Sequence, residues 1–220
     1  MLHWFKKNKQ PAFWKQYIQS FKKQSPRTFE NCRFVVFDTE TTGLNPKTDR
    51  ILSIGAIGLK GNCISIADSF DQFLIQNHFN KDTVAIHGIL KEGKTTKISE
   101  KEALEAFIIY IGNSVLVAHH AAFDLAMINR GLKRMGLPKL KNKCLDTGNL
   151  YKKLKEKPQK HIGLDALCIE FNITAHDRHT AAGDAYITAL LFLKIVSKWR
   201  KERPVNFDDL FRNGERRGLM

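Results

Sequence analysis

Residues Phe34-Val35-Val36-Phe37 form an apolar run that leads directly into Asp38-Thr39-Glu40. Such a run reads as a strand, and because side chains alternate along a strand, Asp38 and Glu40 leave its end on one face. Carboxylates beside hydrophobic core are costly unless cations or metal ions compensate them. Further acids stand in comparable places: Asp124 closes Ala118-His119-His120-Ala121-Ala122-Phe123-Asp124, and Asp184 closes His179-Thr180-Ala181-Ala182-Gly183-Asp184. No Lys or Arg lies close in sequence to Asp38, Glu40 or Asp124. Any one of these acids, taken alone, reads as a helix cap or a solvated turn residue. Four of them with His179 favour a metal site.

The chain has 220 residues, 43% of them apolar, which suits one well-filled core and is short for two. No stretch approaches the roughly 20 apolar residues of a membrane span. Met1-Leu2-His3-Trp4-Phe5-Lys6-Lys7 lacks the apolar region of a secretory signal, so the expected location is cytoplasmic, without membrane contact. Four scattered cysteines (Cys32, Cys63, Cys144, Cys168) offer no C-x-x-C pair and read as reduced, semi-buried packing residues.

The formal charge of +14 is unevenly laid out. Residues 1–33 carry 8 Lys/Arg against one acid, and residues 130–160 carry 11 against 2, whereas the acid-bearing segments 34–129 and 161–193 each come to −3. An acidic site within basic surface suits a polyanion gripped by its backbone while metal ions act inside. A soluble protein that is simply rich in lysine would show the same total.

Periodicity divides the chain into a basic aromatic N-terminal extension over 1–32, a globular domain over 33–198 and a polar C-terminal tail over 199–220. In the extension, Phe13, Tyr17 and Phe21 recur on one helical face, expected to lie on the domain's own core. Three strand-like runs follow, 34–37, 51–59 and 63–75, with connections short enough for an antiparallel meander. A capping box, Ser99 with Glu102, opens a helix to about 112. Beyond it come a buried strand over 115–118 and helices over 121–135, 163–171 and 180–198. Residues 139–160, dense in lysine, read as loop. The fold class expected is α/β, a mixed sheet flanked by helices.

Asp184 shares a helical face with Ile187, Thr188, Leu191 and Ile195, an inward position that magnesium would explain, since hard cations favour carboxylate oxygens. His179, five residues earlier in the loop with Asp177 and Arg178, can reach the same site as an acid–base group. Phosphatases with an aspartyl nucleophile also place an acid pair after an apolar strand, but as Asp-x-Asp, and Glu40 counts against that alternative.

These three motifs, in order, resemble the DEDDh 3′–5′ exonucleases, the family of three Asp, one Glu and a catalytic His that includes the proofreading epsilon subunit of bacterial DNA polymerase III. The landmarks Ala85-Ile86-His87-Gly88-Ile89 and Leu164-Asp165-Ala166-Leu167-Cys168 extend the resemblance over about 33–195. It implies a ribonuclease-H-like fold and two divalent cations, Mg2+ or Mn2+. Asp38 would bridge both cations, Glu40 and Asp184 would hold the one that carries the attacking water, and Asp124 would serve the other. His179 would take the proton from that water. Thr41, Leu44 and His87 match positions that touch the terminal nucleotide. One departure stands out: His120 replaces the usual Asn of the second motif, and either of His119 and His120 reads equally as a satisfied buried side chain.

The function this implies is metal-dependent hydrolysis at the 3′ end of single-stranded or frayed nucleic acid, DNA favoured, releasing 5′-mononucleotides. The alternatives are an RNA-trimming or oligoribonuclease-type enzyme, or a non-catalytic module that docks nucleic acid or a polymerase. The partners expected are nucleic acid with a 3′ end and a replication or repair protein. Phe207-Asp208-Asp209-Leu210-Phe211 faintly resembles a sliding-clamp binding segment, without its leading Gln.

Overall fold

The computed structural model of the chain describes residues 10–22, 28–77, 80–90, 95–155 and 162–212. Trp4 and Phe5 of the basic extension, residues 156–160 of the lysine-rich stretch and the end of the tail lie outside them. Strands β1 (Arg33–Thr41), β2 (Ile51–Lys60) and β3 (Cys63–Leu74) form the expected antiparallel meander, while β5 (Val115–Ala118) and β6 (Cys144–Asp146) run parallel to β1. With the short β4 (Lys97–Ile98), the described strands make one mixed sheet in the order β4-β3-β2-β1-β5-β6.

The alternation along β1 sets the two layers. Phe34 and Val36 face the helices α5 (Thr147–Lys155), α6 (Leu164–Glu170) and α7 (Ala181–Glu202); Val35 and Phe37 face α1 (Ala12–Ser20), α3 (Glu100–Ile111) and α4 (Ala121–Arg134). Asp38 and Glu40 continue the Phe34–Val36 row, which aims them at the α7 side. The capping box at Ser99 forms as expected and starts α3.

Helix α1 packs on the core, as its spacing requires, burying Phe13, Trp14 and Tyr17. Burying one such side chain contributes about 1.5–3 kcal/mol, which holds a nine-residue helix that would be marginal in isolation. The Tyr17 hydroxyl donates to Asn142 Oδ1 at 2.6 Å and accepts from Lys141 N at 2.7 Å, while Asn142 Nδ2 donates to the carbonyls of Gly112 and Ser114. Two basic segments distant in sequence thus meet at the end of β5 where that strand begins.

The structure departs from these expectations at four points. Residues 139–160 are not simply loop: β6 and α5 lie there, α5 burying Leu150, Tyr151 and Leu154 beneath its lysines. Helix α2 (Lys81–His87) was not anticipated, its sequence having no clear periodicity. The Phe207–Leu210 turn η1 is not a free docking segment either. Leu210 is buried, the Phe207 ring lies 6.3 Å from that of Phe34, and Lys143 Nζ sits over the Phe211 ring, so the apolar anchors are already used internally. Cys63 is exposed rather than packed; Cys32 and Cys168 are buried, and all four thiols are free.

Candidate active site

Pairing between β1 and β5 ends at Val36 and Val117, and the strands part beyond that level. A crevice at the carboxyl ends of diverging parallel strands is the usual ligand position in α/β sheets. Four expected site residues converge there. Carboxylate oxygens of Asp38, Glu40 and Asp184 lie within 4.8 Å of one another. Asp124, in the first turn of α4, closes the opposite wall: its Oδ1 accepts from Thr39 N at 3.1 Å and Thr39 Oγ1 at 2.6 Å. The carboxylate therefore replaces the carbonyl that β5 no longer offers to the β1 ladder.

Asp184 reaches Asp38 because of Gly55. Gly55 is the ladder partner of Asp38 on β2, and a Cβ there would fall 2.1 Å from the carbonyl carbon of Ala181. Only a residue without a side chain lets the start of α7 lie on the sheet. Glycine inside a strand commonly marks such a backbone approach, so this was a signal in the sequence that went unread.

The electrostatics follow from this crowding. Burial, then the charges of Asp124, Asp184 and Glu40, hold the Asp38 carboxyl well above the usual carboxylate range. Burial, then the charges of Asp184 and Asp124, push Glu40 up to about 7. Asp124 is also raised to about 7 by burial, against the two Thr39 hydrogen bonds, with a further upward push from Asp146. Asp146 was not anticipated either; its Oδ2 accepts from Ala121 N at 2.9 Å and so starts α4. A cluster of oxygen donors whose ionised forms are disfavoured until positive charge arrives suits hard divalent cations.

Among the described residues, the cation that reaches this cluster is Arg178. Arg178 Nη1 donates to Asp184 Oδ1, and the same guanidinium grips Asp165 through Nε at 2.6 Å and Nη2 at 3.1 Å. Sequence reading placed Arg178 in the loop but gave it no role. His179 beside it is exposed, with φ of 61°, and its backbone N–H points at Asp184 Oδ2 at 3.3 Å.

The remaining expected residues flank the cluster. Thr41 is buried and its Oγ1 donates to the Gly43 carbonyl at 2.8 Å; Leu44 stands 85% exposed on the turn beyond it. His87 is buried, its Nδ1 accepting from Ile89 N at 3.0 Å and its Nε2 without a hydrogen-bond partner among the described residues; burial lowers its pKa. It lines a cavity of about 470 Å³ with Ser53, Phe73 and the first residues of α7. His119 is a satisfied structural side chain: Nε2 faces the Ile162 carbonyl at 3.0 Å, so it carries the proton, and Nδ1 accepts from Thr147 Oγ1 at 2.8 Å. His120, at φ 61°, stacks on it at 4.2 Å and turns the chain from β5 into α4.

Comparison with known proteins places these features in context. The family model described as exonuclease matches residues 35–192. The PolC-type DNA polymerase III of Oceanobacillus iheyensis is 32% identical over 176 residues, and that of Halalkalibacterium halodurans 34% over 177, each alignment covering 80% of this chain. The chain spans 12% of the length of either relative. Among solved structures, exonuclease X in complex with 5′ overhanging duplex DNA superposes with a TM-score of 0.61 at 22% identity, covering 80% of this chain and 96% of its own. E. coli exonuclease I in complex with a dT13 oligonucleotide gives 0.65 at 18%, covering 78% and 42%. At such identities the likeness establishes the fold, the ribonuclease-H-like mixed sheet with flanking helices.

Proposed function

This chain belongs to the exonuclease family, and from that premise we propose that it is a metal-dependent 3′–5′ exonuclease that releases 5′-mononucleotides from single-stranded or frayed DNA. The observation that carries the reading is the convergence of Asp38, Glu40 and Asp184, with Asp124 across the crevice, in a chain of this family. A module that only bound nucleic acid would gain nothing from four clustered acids, which repel phosphate. DNA is favoured over RNA because the relatives are DNA polymerases and the similar structures are described with DNA.

Asp38, Glu40, Asp124 and Asp184 would hold two divalent cations, Mg2+ or Mn2+. Bound there, such a pair stabilises the attacking and leaving oxygens of a phosphodiester and lowers the pKa of a water. The chain's own part is to position and to move a proton. His179, exposed at the rim of the cluster, accepts the proton of the attacking water. Thr41 at the end of β1, Leu44 on the turn beyond it and His87 at the end of α2 hold the terminal nucleotide. The basic segments grip the backbone without reading sequence. A cytoplasmic location and a replication or repair partner fit a DNA substrate, and among the described residues no helix is long and apolar enough to cross a membrane.

Matched DNA and RNA oligonucleotides, single-stranded and 3′-mispaired, labelled at the 5′ end, test the reading. Stepwise shortening from the 3′ end with Mg2+ or Mn2+, abolished by chelator and faster on DNA, is expected. Internal cuts, or shortening that chelator does not stop, would refute it.

A further inference from the structure

Arg178 occupies a position that neither the metal site nor the general base accounts for. It lies between α6 and α7, and its guanidinium joins the two. Asp165, at the start of α6, takes the fork of Nε and Nη2; Asp184, in the first turn of α7, takes Nη1. Within the cluster of Asp38, Glu40 and Asp184, only Asp184 is ion-paired by a side chain of the described protein.

The backbone around Arg178 is in an uncommon conformation. Asp177 and His179 hold φ of 53° and 61°, the left-handed region that residues with a side chain seldom enter. The loop is also wound tightly against α7: Thr180 Oγ1 donates to the Asp177 carbonyl at 2.7 Å and accepts from Gly183 N at 3.1 Å. A Cβ on Gly183 would lie 2.1 Å from the Asp177 oxygen. Exposed backbone of this kind persists where neighbours over-determine it. Here the side chain that ties the loop to a second helix is that of Arg178.

From this geometry, and resting on the metal-dependent reading above, we propose that Arg178 is a positioning residue with two separable actions. Its Nη1 is the resident counter-ion of Asp184 and yields that oxygen to an arriving divalent cation. Its fork to Asp165 stays in place when this happens and keeps His179 aimed at the site. Charge serves the first action and planar two-point geometry the second, and lysine can reproduce only the first.

The two actions have opposite signs in experiment. In Arg178→Gln, a competitor for Asp184 is gone and the loop is untied. Calorimetry on the full chain should therefore show Mn2+ binding tightened several-fold, while kcat on a 5′-labelled oligonucleotide falls about 10–100-fold, the usual effect of losing an outer-shell partner, with KM little changed. Asp165→Asn releases the tether but leaves the counter-ion on Asp184, so kcat should fall comparably and Mn2+ affinity should not rise. Arg178→Lys should restore parent Mn2+ affinity and leave kcat low; Asp165→Glu, which keeps a carboxylate for the fork, should recover most of kcat. The double variant Arg178→Gln/Asp165→Asn should match Arg178→Gln alone. A purely structural role would lower kcat, affinity and thermal stability together in every variant. If Arg178→Gln does not fold, Arg178→Lys and Asp165→Asn carry the test. Parent affinity and parent kcat in Arg178→Gln, or parallel losses of both, overturn the proposal. A parent protein that neither binds Mn2+ nor shortens DNA overturns the functional reading itself, and this inference with it.

Discussion

Gly55 stands directly across the β1–β2 ladder from Asp38, and the absence of a side chain there lets the Ala181 backbone lie on the sheet. That contact brings Asp184 to Asp38. A methyl group would stand 2.1 Å from the Ala181 carbonyl carbon and force the start of α7 away. Gly55→Ala should reduce nuclease activity more than 100-fold and weaken Mn2+ binding. Overpacking costs about 1–3 kcal/mol, a fall in Tm of several degrees for a domain of this size. Full activity in this variant would mean that α7 is seated by other contacts.

The crowded acids should make the site a source of instability when no metal is bound. Asp38→Asn keeps the shape and removes one of the repelling charges. Its Tm in chelator should exceed that of the parent by a few degrees, while the rise in Tm on adding Mn2+ shrinks and activity nearly vanishes. A lower Tm in chelator would show that Asp38 is compensated within the protein.

The raised carboxyls give this a pH dependence. Glu40 and Asp124 titrate at about 7 in the folded chain, against about 4 when unfolded. Between those values the folded state binds more protons than the unfolded one. Their contribution to stability is complete below about pH 4 and is lost as pH rises through 7. Melts in chelator should therefore show this contribution declining from pH 5 to 7.5, and melts with Mn2+ should not. Mn2+ affinity should climb over the same interval, with proton release visible as a buffer-dependent heat. A pH-independent affinity would contradict the assignment.

His179→Ala separates base from ligand. Loss of a positioned base costs about 10²–10⁴-fold in rate, so kcat should fall on that order while calorimetric Mn2+ affinity stays near that of the parent. Collapse of Mn2+ binding together with rate would make His179 a ligand.

The basic residues near Asn142 lie at the opening end of β5 and β6, away from the acids at their carboxyl ends. At ~3.3 Å per residue, this is roughly 15 Å along the sheet. Replacing Lys139, Lys141 and Lys143 together with Ala should weaken binding of long oligonucleotides, with the difference fading as salt rises. Dinucleotide cleavage should stay at the parent rate. Equal effects on both substrates would place these lysines nearer the site than the strand path allows.

The sequence by itself determined most of the elements and the identity of the acids. Alternation along 34–40 set Asp38 and Glu40 on one face, the box at Ser99 started α3, and the stripe through Asp184 turned that residue inward. Such signals are local, since strand and helix periods are properties of neighbouring residues. Where local signals were masked, the reading failed: α5 hides its apolar face among lysines, and Phe207 and Leu210 resembled a free segment because the core that takes them lies far back in the chain. Only the tertiary structure decided that Gly55 admits α7, that Arg178 bridges Asp165 to Asp184, and that Tyr17 draws two basic segments to the end remote from the acids. Each of these depends on a close approach between segments that sheet order and helix seating bring together, and separation along the chain carries no information about such distances.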